Sequence, residues 1–114
     1  MNELFEALQK KDPLFLKRIE NAKKWGSADE LIAGAMVVKD KLVVLSCELI
    51  RYEIYFDDIA TATPIAAKDR ESFCLDVDGS FLYWEKSDTH LDLEYFCHIG
   101  RRKNNERTKP RRLP

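Results

Sequence analysis

Apolar residues in the first quarter of the chain recur at helical spacing. Leu4, Phe5 and Leu8 form one short stripe, with Asn2 placed to cap it and Glu3 and Glu6 near the positive end of the helix dipole. Asp12-Pro13 reads as a fresh start, with Asp as N-cap and Pro in the first helical position. A second helix follows, with Phe15, Ile19 and Ala22 on its buried face, and Lys17, Arg18, Lys23 and Lys24 facing water. Trp25 closes it and Gly26 stops it. Ser27-Ala28-Asp29-Glu30 has the form of a capping box and predicts one more turn of helix at Leu31 and Ile32.

The period then shortens from helical to alternating. Ala35 to Val38 and Leu42 to Cys47 are rich in β-formers, and the polar turn Lys39-Asp40-Lys41 between them predicts a hairpin. Tyr52, Ile54 and Phe56 alternate with Arg51, Glu53 and Tyr55, the pattern of a half-buried strand. Asp57 to Ala67 is a connection with some helical character, limited by Pro64, and residues 68–71 are a solvated polar stretch. Phe73 to Val77, Asp78-Gly79-Ser80 and Phe81 to Glu85 form the clearest local signal, a hairpin around Asp-Gly. Phe73, Leu75 and Val77 should share one face of its first strand. On the second strand, Phe81 and Tyr83 should lie opposite Leu82 and Trp84. Asp88 is placed to cap a last short helix carrying Leu91, Leu93, Tyr95 and Phe96. The fold class expected is α+β: N-terminal helices followed by a small, mainly antiparallel sheet with short helices.

Past Gly100 the patterning ends, so residues 1–99 read as one domain and 100–114 as a basic, disordered tail. Arg101, Arg102, Lys103, Arg107, Lys109, Arg111 and Arg112 face only Glu106 there, a balance of +6, while the rest of the chain carries −7. The formal net charge of −1 hides this asymmetry. The chain has 114 residues, enough for one modest core. No apolar run approaches the roughly 20 residues that cross a bilayer, and the N-terminal residues lack the apolar segment of a signal peptide. A cytoplasmic location without a membrane partner follows. Cys47, Cys74 and Cys97 are odd in number and widely spaced, which fits three small buried hydrophobes in a reducing compartment.

Candidate chemistry is sparse. Asp88, His90 and Asp92 alternate, with His98 nearby; on a strand they would share a face and could hold a metal. On a capped helix they are ordinary surface residues. No glycine-rich phosphate loop, nucleophile elbow or zinc-peptidase motif occurs, and nothing calls for a cofactor. The seven basic residues of the tail are candidates for weak nucleic-acid contact through phosphate. The aromatic residues sit in the predicted elements, away from the tail, so base stacking is not expected there.

Residues 37–46 (Val-Val-Lys-Asp-Lys-Leu-Val-Val-Leu-Ser), the strand Tyr52-Glu53-Ile54-Tyr55-Phe56, and Asp78-Gly79-Ser80-Phe81-Leu82-Tyr83-Trp84 with Asp88 and Leu91 beyond it resemble a bacterial family, the small domain of unknown function 2442. That family reads "vv.d.L.v.l" early and "dG..ihWPeLDeDi" late. Glu85 stands where the family has Pro, Ser87 where it has Leu, and His90 where it has an acid. The turn at Cys47 to Ile50 lacks its Asp-Gly-Arg. The N-terminal helices resemble those of a longer variety, in which the α+β domain precedes a repressor-type helix-turn-helix. The resemblance implies no enzyme activity; it implies a regulatory or interaction domain, here without its DNA-binding half. A homodimer or another protein partner is thus the first expectation. Nucleic-acid association through the tail comes second, and a small metal enzyme at Asp88, His90 and Asp92 third.

Overall fold

The computed structural model describes residues 3–60, 64–99 and 101–102. The fold is α+β: two N-terminal helices, then two small antiparallel sheets with short helices. Helices α1 (Glu3–Lys11) and α2 (Phe15–Trp25) form as the apolar spacing predicts. Asp12 Oδ1 accepts the Leu14 N–H at 3.0 Å and holds the turn between them. Gly26, at φ 71°, ends α2, and the Ser27 N–H bonds the Ala22 carbonyl at 2.9 Å.

The first sheet runs β1 (Ile32–Val38), β2 (Lys41–Ser46), β3 (Arg51–Tyr55), with the two-residue β7 (Arg101–Arg102) added beside β3. The second sheet is β4 (Phe73–Leu75), β5 (Phe81–Trp84) and β6 (Thr89–Asp92), and β6 leads directly into α3 (Leu93–Ile99). Two apolar cores lie on either side of the first sheet. Leu4, Leu8, Phe15 and Ala22 pack with Val43, Leu45 and Cys47 on the helix side. Leu42, Val44 and Ile54 pack with Leu82, Trp84, Leu91, Leu93 and Phe96 on the other. The period-2 alternation of β2 thus serves two cores at once, which is why the strand reads as a nearly continuous apolar run.

Six expectations are corrected. Asp12 and Pro13 lie in the turn before α2, whose N-cap is Leu14 and whose first residue is Phe15, so Asp12 is not its N-cap and Pro13 not its first helical position. Leu31 and Ile32 do not form a helical turn; Ile32 opens β1, because its N–H bonds the Gly79 carbonyl at 2.8 Å while the Leu31 carbonyl accepts the Cys47 N–H. Long-range backbone partners outcompete the local cap. Arg18 does not face water: it is buried at 3% exposure. Val77 leaves the strand and stands 71% exposed in the turn. Cys74 and Cys97 are exposed, and of the three thiols only Cys47 is buried. Asp88 caps no helix. It sits in a turn at φ 51°, Thr89–Asp92 is a strand, and Asp92 Oδ1 accepts the Tyr95 N–H at the start of α3.

Arg18 ties the layers together. Its Nη1 reaches Asp12 Oδ2 at 2.7 Å and the Ala33 carbonyl at 3.1 Å, and its Nε donates to the Asp76 carbonyl at 3.1 Å. One guanidinium therefore joins the α1–α2 turn, the first sheet and the β4–β5 loop. A buried charge is tolerable there only because these partners are present.

Candidate interaction surface

The second sheet turns Phe73, Leu75, Leu82, Trp84 and Leu91 inward. Strand alternation must then put Cys74, Phe81, Tyr83, His90 and Asp92 on its other face. The register sets Cys74, Tyr83 and His90 side by side across the three strands, with Phe81 opposite Asp92. Among the described residues no layer covers this face: Cys74, His90 and Asp92 are exposed, and Phe81 and Tyr83 are half-buried.

The rings form a bed. Tyr83 and His90 stack with centroids 4.3 Å apart, and Phe81 meets the edge of His90 at 5.2 Å. The Tyr83 hydroxyl donates to Asp88 Oδ1 at 3.2 Å. Partial loss of water and this bond to a carboxylate both push the Tyr83 hydroxyl above its ordinary pKa.

Two open depressions flank the strand β6. One, of about 470 Å³, is lined by Ser80, Phe81, His90, Asp92 and Tyr95. The other, of about 510 Å³, lies between the residue 29–31 turn and α3, and adds Asp29, Glu30, Leu93, Glu94 and Cys97. They share the lining residues Ser80 and Asp92 and so adjoin as a grooved surface along β6 and α3. Among the described residues, four carboxylates line it, from Asp29, Glu30, Asp92 and Glu94, and no lysine or arginine does. Alongside, in the β4–β5 loop, the carboxyl groups of Asp76 and Asp78 lie against each other. Their mutual contact raises the pKa of Asp76 and, with the Ser80 hydrogen bonds, lowers that of Asp78.

His90 and Asp92 therefore do share a face, as the strand reading of that segment requires, while Asp88 turns to Tyr83. His98 Nε2 lies 3.8 Å from Glu94, on α3. Among the described residues no three His, Cys, Asp or Glu side chains are grouped to hold a metal ion. Of the basic tail, the backbone of Arg101 and Arg102 pairs with Glu53 and Tyr52, so pairing runs two residues past the expected boundary at Gly100. Lys103, Arg107, Lys109, Arg111 and Arg112 lie outside the described residues. No helix of the described residues is long and apolar enough to cross a membrane.

Sequence reading did not find the groove. Asp29 and Glu30 read as capping residues and Glu94 carries no signal of its own; the Ile32–Gly79 bond and the strand-to-helix junction at Asp92 bring them together. Comparison of the chain with protein-family models, curated proteins and solved structures gives no match.

Proposed function

We propose that this protein is a regulatory, non-catalytic interaction domain whose groove along β6 and α3 receives a lysine- and arginine-rich peptide segment. The observation that carries this reading is the lining of the groove: four carboxylates, no lysine or arginine among the described residues, and an aromatic bed of Phe81, Tyr83 and His90 beside them. Carboxylates accept paired N–H bonds from guanidinium, and aromatic faces attract the same cation. An open groove of this size suits side chains of an extended peptide better than an enclosed small molecule.

Titration of a synthetic ten-residue arginine-serine peptide into isotope-labelled full-length protein tests this. The amide signals of β6 and α3 should shift in low salt. Binding should weaken roughly tenfold or more between about 20 and 300 mM salt, because the contacts are exposed and screened. Shifts spread over the whole surface, or none, overturn the reading.

A second reading is contact of the basic segment with nucleic acid. It draws on the basic segment itself, whose first two residues, Arg101 and Arg102, pair through their backbone with β3. Retention of the full chain on DNA in low salt, lost on neutralising Lys103, Arg107, Lys109, Arg111 and Arg112, favours it over the peptide reading.

A further inference from the structure

We infer that the cavity beside Arg70 binds a short-chain monocarboxylate, at a site that shares no lining residue with the peptide groove. Two single 3-10 turns, Phe56–Asp58 after β3 and Ala67–Asp69 just before Arg70, bring the aromatic ring and the cation together: the Arg70 guanidinium lies 4.8 Å from the centre of the Phe56 ring. Both border a depression of about 270 Å³ whose remaining apolar walls are Ile59, Pro64 and Ile65. The Arg70 backbone is fixed, because its carbonyl accepts the Trp84 Nε1–H at 3.0 Å. The charged end is not satisfied. Its Nη2 stands 3.6 Å from Asp57 Oδ1, past hydrogen-bond reach, and Asp57 is 89% exposed. Its Nε is out of contact with water and has no acceptor among the described residues.

Arg18 shows what this fold does with a guanidinium kept for structure: its Nη1 and Nε both have acceptors. Arg70 holds a buried N–H in reserve, and a charged donor left without an acceptor is costly until a ligand supplies one. A carboxylate does so in the geometry that guanidinium favours, with one oxygen for Nε and the other for the adjacent Nη. The apolar walls then cover a short run of methylenes, whose removal from water adds to the binding. The cavity holds about nine times the roughly 30 Å³ that one water occupies in the liquid, which suits an acid of about six carbons. Asp57 on the rim repels a second negative charge, so the site favours a monocarboxylate over phosphate.

Trp84 is a built-in reporter: its indole N–H bonds to Arg70, its ring lies 6.2 Å from that of Phe56, and the other indole, Trp25, is exposed. Hexanoate titrated into the isotope-labelled full chain should move the Trp84 indole signal and the amides of Ile59, Ala60 and Arg70 along one saturable curve. Hexanol fills the walls without the charge and should bind roughly tenfold more weakly or worse, as should hexylamine and inorganic phosphate. Arg70→Gln keeps the carbonyl that holds Trp84 and should weaken hexanoate by roughly tenfold or more. Equal affinity for hexanol, undiminished binding by Arg70→Gln, or the lack of a saturable shift overturns the inference. If Arg70→Gln does not fold, Asp57→Asn decides. It removes the exposed anion that competes for the guanidinium, so hexanoate should bind about threefold tighter, and unchanged or weaker binding overturns the inference. The arginine-serine peptide is read at β6 and α3, so the groove is judged by its own titration whichever way this one falls.

Discussion

Gly79 offers the sharpest test of how the two sheets are joined. It stands at φ +89°, a conformation that costs an L residue roughly 1–2 kcal/mol. A Cβ built there would lie 2.2 Å from the Ile32 carbonyl oxygen and 3.1 Å from the Ile32 nitrogen, both backbone. The turn must therefore move away from β1, and the 2.8 Å bond from the Ile32 N–H to the Gly79 carbonyl goes with it. Leaving a buried N–H unpaired costs about 1–3 kcal/mol. Gly79→Ala should then destabilise by roughly 2–5 kcal/mol, which at about 4 °C per kcal/mol lowers the Tm by ~8–20 °C. Gly26→Ala is the internal control. Gly26 also has positive φ, 71°, but nothing lies within 4 Å of its missing Cβ. Urea denaturation of both variants separates backbone strain, common to the two, from the clash with β1, which only Gly79 suffers. If Gly79→Ala costs no more than Gly26→Ala, the turn is not fastened to β1 as described.

Trp84 is 1% exposed and its Nε1 donates to the Arg70 carbonyl at 3.0 Å, so Trp84→Ala should cost about 3–5 kcal/mol in urea denaturation. In a Trp25→Phe background its emission should be blue-shifted, since the exposed Trp25 no longer contributes, and a water-like maximum contradicts its burial. Arg18→Leu strands the Asp12 carboxylate and two backbone carbonyls and should lose ~3 kcal/mol or more, whereas Lys17→Leu, on the exposed side of α2, should change stability little. Cys47 makes stability fall with rising pH: the unfolded thiol ionises near the ordinary 9.0, the folded one is held protonated to about 11 by burial, so the folded state binds more protons between those values. Cys47→Ala should flatten that part of the profile, and equal alkaline loss with and without the thiol rules this origin out.

The helices and hairpins were legible because their signals are local. Leu4-Leu8 and Phe15-Ala22 spacing, the Asp-Gly turn and the Tyr52-Ile54 alternation each need only neighbours in sequence, and each element formed. The misreadings share a cause of the opposite kind. Arg18 looked like one more solvated cation because Lys17, Lys23 and Lys24 surround it in sequence. Its burial depends on carbonyls at Ala33 and Asp76, and Asp76 is 58 residues away. Residues 27–30 have a sound capping pattern and still lost to the strand, because the Ile32 N–H had a better partner in Gly79. Asp88 and Asp92 are both good caps; which one starts the helix is decided by the pairing of Leu82 with Leu91, which holds Thr89–Asp92 extended.

That last choice also makes the surface. Had Asp88 capped the helix, Leu91 and Phe96 would serve the core from a single helix and the outer side would be an unremarkable polar stripe. With Thr89–Asp92 paired to β5, alternation carries Thr89 and Leu91 inward and lays His90 and Asp92 beside Tyr83 and Phe81. The helix starts only at Leu93, so Glu94 and Cys97 face back toward the residue 29–31 turn. A shift of about four residues in one helix boundary thus converts a capped helix into an aromatic face with an acidic groove at its edge. It also explains why the −7 of the body could be counted from the sequence while its site could not. Charge is additive over residues, but a groove exists only where strand register fixes which side each carboxylate occupies.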